Sequence, residues 1–213
     1  MPRIASEHLV YHFTHWAHLP EIMRRGLLCD SALQASGGLD HEAGDRDIKA
    51  RRRCRPVPCG ARGVVADYVP FYFAPRSPML FSIAKGNVST FGDSPHDLVY
   101  LVTSVERLLQ ARLRIVVTDR NAVLKYAAFS DDPESWFAPG FVDWELMKAK
   151  YWARQEDGKE RRMAECLVHQ QVPWSAITMI GVHDDRVADR VRAVLGPHGQ
   201  SPISPVLKPG WYF

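Results

Sequence analysis

The chain has 213 residues, 46% of them hydrophobic, and 27 Lys and Arg against 24 Asp and Glu give a formal net charge of +3. The length fits one hydrophobic core, hence one domain over residues 1–213, and the composition is that of an ordinary globular protein. So small a net charge does not by itself argue for a nucleic-acid partner, no apolar run approaches membrane-spanning length, and the first residues lack a signal-like pattern. A reducing cytoplasm is therefore expected. Cys29, Cys54, Cys59 and Cys166 contain no C-x-x-C pair, so the sequence offers no zinc site and the cysteines read as small hydrophobes.

In chain order, His8 to Phe13 alternates in polarity and reads as a strand. Residues 18–26 read as a short helix with Leu19, Ile22 and Met23 as its apolar stripe and Gly26 as its terminating cap. A long polar stretch follows, about 31–64, carrying Gly37-Gly38, Pro56, Pro58 and Gly60. Loops that long are uncommon in compact domains unless functional or disordered, and this one reads as functional, ordered by a ligand. Within it Arg46, Lys49, Arg51, Arg52, Arg53, Arg55 and Arg62 face one acid, Asp47, between positions 46 and 62. Such a cluster attracts phosphates, although a charge run also serves as a solvated face.

Asp67 to Phe73 is aromatic and extended, with Pro70 pointing to an edge strand or a bulge. Pro78 to Ala84 suits a helix with proline in its first turn. Leu98 to Val102 and Arg114 to Val117 read as strands. The polar, tryptophan-bearing stretch 130–162 holds a predicted helix at 143–151. Met163 to His169 and Met179 to His183 read as strands, 185–195 as an amphipathic helix, and Ile203 to Leu207 closes the set. Short strands with helices set around them indicate an α+β fold.

Glu165 sits among Met163, Ala164, Cys166, Leu167 and Val168, where an unpaired carboxylate is costly to bury. Either alternation turns it to solvent, or it is a cleft carboxylate that binds a sugar hydroxyl and stabilises positive charge at an anomeric carbon. Arg52 is either a surface cation or a planar fork for phosphate. His12 and Thr14 share one face of the first strand, opposite His15. They serve either as satisfied core groups or as contacts to a nucleotide. Residues 68–80 mix aromatics with Arg76 and Met79; most of this is core, and an exposed ring there would stack on a base. No Ser-His-Asp motif, Walker loop or G-x-G-x-x-G supports a hydrolase, P-loop or Rossmann reading.

Taken together these pieces resemble the DarT family, NAD-dependent DNA ADP-ribosyltransferase toxins of bacterial DarTG toxin–antitoxin pairs. The matching segments are Tyr11-His12-Phe13-Thr14-His15, Arg24-Arg25-Gly26-Leu27-Leu28, Arg51-Arg52-Arg53 before Val57-Pro58, and Asp67 to Phe73. Arg76 to Leu80, Thr118-Asp119, Ala164 to Val168 and Lys208 to Phe213 follow. Each is weak alone; their order over nearly the whole chain is specific. The resemblance implies an ADP-ribosyltransferase fold of two small facing sheets with flanking helices and an NAD cleft between them. It assigns NAD binding to His12, Phe13, Thr14 and Arg52 and catalysis to Arg52 and Glu165, with Arg51 or Arg53 the alternatives if the register slips. It also implies that the loop of about 31–64 covers NAD and that about 121–165 recognises the substrate, with no firm role for Asn121.

The implied reaction transfers ADP-ribose from NAD to a thymine in single-stranded DNA, with nicotinamide released and no metal required. Glu165 or Arg52 would help deprotonate the attacking ring nitrogen, which pairing hides in a duplex. Tyr72, Arg76, Met79, Arg161 and Arg162, with Lys159, are the residues expected to meet the DNA. A DarG-like macrodomain antitoxin is the implied protein partner. The competing readings are transfer to another base, to RNA or to protein, NAD-dependent removal of an RNA phosphate, and a non-catalytic nucleic-acid-binding module.

Overall fold

The computed structural model describes residues 8–37, 41, 43–88, 91–153, 155–196 and 203–213. Strand β1 (Leu9–His15) leads through a 3-10 turn, Trp16–His18, into helix α1 (Leu19–Arg25), which has proline in its first turn. The helix stops at Gly26, whose φ of 80° belongs to the left-handed region that glycine adopts without strain. The chain continues directly into β2 (Leu27–Leu28).

The polar stretch after β2 is not the continuous loop that its composition suggests. It contains α2 (Asp30–Ala35) and α3 (Arg46–Cys54). Asp45 caps α3 by accepting hydrogen bonds from the N–H groups of Asp47 at 2.9 Å and Ile48 at 3.0 Å. Asp47 lies in the first turn and Arg51, Arg52 and Arg53 in the last, the favourable order for the helix dipole. No residue of α3 is fully buried, so it shows no apolar stripe. Charge holds it instead: Lys49 and Arg53, one turn apart, both pair with Asp30 at 2.6 and 2.9 Å.

The remaining elements are β3 (Tyr68–Tyr72), α4 (Pro78–Ala84), β4 (Leu98–Ser104), α5 (Val105–Gln110), β5 (Ile115–Thr118), β6 (Phe129–Ser130) and α6 (Pro133–Trp136). After them come α7 (Trp144–Lys148), α8 (Gly158–Arg161), β7 (Glu165–His169), β8 (Gln171–Val172), β9 (Met179–Val182), α9 (Asp185–Leu195) and β10 (Pro205–Leu207). The helix predicted over 143–151 is therefore shorter, because Ala149 is already extended.

Among the described residues one sheet runs in the order β10-β9-β4-β1-β3-β7-β5-β6, and β2 pairs with β8 in a second. The larger sheet has two halves, β10-β9-β4-β1 and β3-β7-β5-β6. They join through β1 and β3, which meet in register only at Tyr11 and Tyr72, whereas β1 and β4 pair along seven residues. Pro70 helps to explain the gap. It lacks an N–H to give to β1, and its carbonyl instead accepts a hydrogen bond at 2.8 Å from the His12 side chain, Nδ1 to O. Pro70 thus occupies an interior strand that behaves locally as an edge.

Residue alternation sorts the core by sheet face. Val10, Val69, Phe71, Val99, Leu101, Cys166 and Val168 belong to the largest cluster. Phe13, Leu98 and Tyr100 face the other way in one half of the sheet, and Tyr68, Val116 and Leu167 do so in the other. Glu165, two residues before Leu167, shares this second face.

Gly26→Ala is expected to destabilise the protein by about 1–3 kcal/mol, since an alanine there pays for positive φ. Its Cβ would also stand 2.7 Å from the Val172 carbonyl oxygen and from Gln171 Nε2. Chemical denaturation would measure the loss.

Candidate active site

Glu165 opens β7 and is 1% exposed. Its N–H donates to Thr118 Oγ1 at 3.1 Å, which pins the start of the strand to the end of β5. Two groups reach its carboxylate. Arg52, in the last turn of α3, donates from Nη1 to Oε2 at 2.9 Å and to Oε1 at 3.1 Å. The Ala122 N–H donates to Oε1, also at 3.1 Å. A carboxylate this deep needs such partners, because desolvating an unpaired charge costs several kcal/mol. The other terminal nitrogen of Arg52, Nη2, is buried and has no hydrogen-bond partner among the described residues. That donor is available to an incoming acceptor.

The arginine run sorts by position on α3. Only Arg52 reaches Glu165; Arg51 is exposed and Arg53 donates to Asp30. His12 lies at the gap between the sheet halves. Burial pushes its pKa down to about 4 and the Arg52 charge pushes the same way, against the pull of the Pro70 carbonyl. The ring is neutral at physiological pH. Thr14 is buried, and its hydroxyl is hydrogen-bonded to His18 Nδ1 at 2.8 Å. Phe13 points to the opposite face from His12, where its ring stacks on Tyr72 with centroids 6.3 Å apart. Tyr72 is the cross-strand partner of Glu165, and its hydroxyl donates to Met79 Sδ at 3.5 Å. Burial, with the Glu165 charge second, holds the Tyr72 phenol in its protonated form.

Tyr72 thus sits beside the carboxylate, with Met79 against its hydroxyl; the expected DNA-facing arginines have other partners. Arg76 donates to the Tyr212 carbonyl and lies 4.2 Å from the Phe213 ring centroid, engaged by the C-terminal segment. Arg161 pairs with Asp143 at 3.1 Å. Arg162 requires a correction: it is 3% exposed, and its guanidinium donates to the carbonyls of Met147 and Pro75 at 2.9 Å, Ala149 at 3.1 Å, and Leu146. It is a buried tie rather than a cation that tracks a DNA backbone. In sequence Lys159, Arg161 and Arg162 look alike, because charge says nothing about which one faces a row of unpaired carbonyls.

Sequence reasoning gave no role to Thr118 or Ala122 beyond the Thr118-Asp119 motif. Ala122 acts through its backbone, which no side-chain pattern reveals.

Two groups bring three potential metal-binding atoms within 4.8 Å: His15, His41 and Asp93, and His96, His183 and Asp184. Neither presents converging lone pairs. His15 Nδ1 accepts from the Ala17 N–H, which leaves the proton on Nε2. The rings of His96 and His183 stack face to face, 3.5 Å apart and 6° from parallel.

The chain matches over residues 11–213 a family model described as "ssDNA thymidine ADP-ribosyltransferase, DarT". It is 35% identical over 206 residues to a DNA ADP-ribosyl transferase of Thermus aquaticus, covering 96% of this chain and 89% of that one. Among solved structures, Thermus sp. 2.9 DarT in complex with ADP-ribosylated ssDNA superposes over the whole of both chains, with a TM-score of 0.89 and 33% identity. The same protein in complex with NAD+ gives a TM-score of 0.83 and 31% identity over 98% of each chain. A Thermosipho africanus DNA ADP-ribosyl transferase–DNA ADP-ribosyl glycohydrolase fusion is 27% identical over 187 residues, covering 87% of this chain and 45% of the fusion. The class that fold and comparisons define is the DNA ADP-ribosyltransferase. Within that class, the chain belongs to the DarT family of ssDNA thymidine ADP-ribosyltransferases. No helix among the described residues is long and apolar enough to cross a membrane.

The His12 ring generates a stability prediction. Folded, it takes its proton only near pH 4, and unfolded near 6.5, so between those values the unfolded state binds more protons. Stability is therefore expected to fall as the pH drops from 6.5 towards 4. His12→Gln, which keeps a donor for the Pro70 carbonyl, should flatten that part of the curve, as thermal melts across the range would register.

Proposed function

We propose that Glu165 and Arg52 form the reactive centre of this chain, which moves ADP-ribose from NAD to a thymine of single-stranded DNA. The observation that carries the reading is the convergence, from positions 113 residues apart, of one buried carboxylate and one guanidinium beside the gap between the sheet halves. The Arg52 donor left over after Glu165 is served would take an oxygen of NAD. His12, Phe13 and Thr14 serve NAD from the two faces of β1, Phe13 on the face of Tyr72, and Thr14 with His12, a neutral group, on the other. Residues 31–64 cover NAD and 121–165 select the acceptor, with Tyr72 and Met79 next to the incoming base. Residues 1–213 act as one transferase unit, in the cytoplasm. The glycohydrolase fused to the Thermosipho relative supports a DarG-like macrodomain antitoxin as partner.

The chemistry follows from the pair. As the bond between nicotinamide and ribose breaks, positive charge develops on the sugar, and a fixed carboxylate is the group that stabilises it. The thymine ring nitrogen then forms the new bond to the anomeric carbon and loses its proton. A guanidinium keeps its own protons in proteins, so the acceptor of that proton is Glu165 and not Arg52. No metal is needed for any of these steps. Arg52 holds the carboxylate in place through two hydrogen bonds. A single strand is required because an unpaired base offers its ring nitrogen without the few kcal/mol that extrusion from a duplex costs.

Glu165→Gln preserves shape and removes the charge; transfer to a thymine-containing oligonucleotide, followed by mass spectrometry, should fall by about 10³-fold. Retention of most of the activity would remove Glu165 from this role, and labelling of RNA or protein instead of DNA would move the acceptor. Arg52→Lys keeps a cation for Glu165 and loses the second donor. It should raise the KM for NAD and lower kcat, each by about tenfold, whereas Arg51→Lys should leave both unchanged.

A further inference from the structure

The carboxylate of Glu165 has two kinds of partner, and only Arg52 is a side chain. The other is the Ala122 N–H, 3.1 Å from Oε1, on a residue with no exposed surface. What aims that N–H is the turn in which it sits. The Leu124 N–H donates to the Asn121 carbonyl at 3.1 Å, closing a turn over residues 121–124. The Val123 N–H donates to the Asn121 side-chain oxygen at 3.2 Å, the two-residue reach by which asparagine mimics a backbone turn. With the third and fourth N–H groups of the turn engaged inside it, the second is left to point outward, and it meets Glu165. Asn121 is itself anchored. Its N–H donates to the Glu160 carbonyl at 3.1 Å, and its side-chain nitrogen lies 3.7 Å from Met163 Sδ, two residues before the glutamate.

We infer that Asn121 is a positioning residue for the transfer reaction: its side chain builds the turn that holds the Ala122 N–H against the Glu165 carboxylate. This rests on the role of Glu165 proposed above. It is distinct from a contact between Asn121 and the DNA, which the partial exposure of this residue also permits. The two roles separate by what they change. A group that orients Glu165 affects bond breaking, whereas a group that touches DNA affects how tightly the oligonucleotide is held.

The test compares Asn121→Ala, which removes the side-chain acceptor, with Asn121→Ser, whose hydroxyl accepts the same bond more weakly. Both are assayed with NAD and a thymine-containing single-stranded oligonucleotide, with folding checked by thermal melting. The expected result for Asn121→Ala is a kcat about tenfold lower with an oligonucleotide KM within twofold of the parent. Asn121→Ser should recover part of the kcat. A loss confined to oligonucleotide KM, or a serine variant no better than alanine, would overturn the inference. If the alanine variant does not fold, the serine variant decides: lowered kcat at constant oligonucleotide KM supports the inference, and raised KM at constant kcat rejects it. Failure of the parent protein to transfer ADP-ribose to any acceptor would instead refute the function on which the inference stands.

Discussion

The site depends on pairing one carboxylate where water scarcely reaches it. Glu165 is 1% exposed at the start of a strand, and Arg52 is the only charged side chain hydrogen-bonded to it among the described residues. Burying two ions is expensive, and geometry has to offset the cost. The geometry is supplied from three directions. Asp45 and Asp30 hold α3 at its cap and along its side, β5 and β7 are tied through Thr118, and the turn at 121–124 adds a backbone donor. Helix α3 shows most clearly what the pair demands. None of its residues is fully buried, and ion pairs to Asp30 and Glu165 hold it in place.

Around this pair the other titratable groups are held neutral. His12 is kept unprotonated by burial and by the adjacent guanidinium, and Tyr72 is kept protonated by burial and by the adjacent carboxylate. A charged His12 would compete with Arg52 for the same anions, and an ionised Tyr72 would repel Glu165. One cation and one anion are therefore held at fixed positions, a preorganised pair of charges. The narrow junction of β1 and β3 belongs to the same arrangement. Were the two strands paired along their length, as β1 and β4 are, the Pro70 carbonyl would have no need of the His12 ring and the halves of the sheet would not diverge there.

Much of this was readable from the residues. Alternation marked β1, apolar runs marked β4, β7 and β9, and the periodic stripe with its terminal glycine marked α1. The cost of burying an unpaired carboxylate singled out Glu165, and family resemblance supplied Arg52; their direct ion pair was visible only on folding, since they were expected at separate ends of NAD. What escaped sequence reading has particular causes. Helix α3 has no apolar period because it is held by ion pairs, so a polar stretch hid it. Pro70 suggested an edge strand by a sound rule, and the rule applies to one side of β3 only, where β1 departs. The Ala122 N–H has no signature at all, since every residue but proline carries one.

The two buried arginines show why residue type alone could not assign roles. Arg52 and Arg162 are both largely withdrawn from solvent, and both belong to basic runs that looked alike as strings of charge. Arg52 meets a carboxylate and keeps one nitrogen unsatisfied; Arg162 meets carbonyls at the end of α7 and in the turn after β3. A guanidinium facing carbonyls neutralises no charge; it gathers chain segments. Because Arg162 lies three residues before Glu165, the chain it ties down leads directly into the strand that carries that carboxylate. One arginine therefore pairs with Glu165 and the other fixes the frame around it, and the difference was set by the acceptors each met on folding.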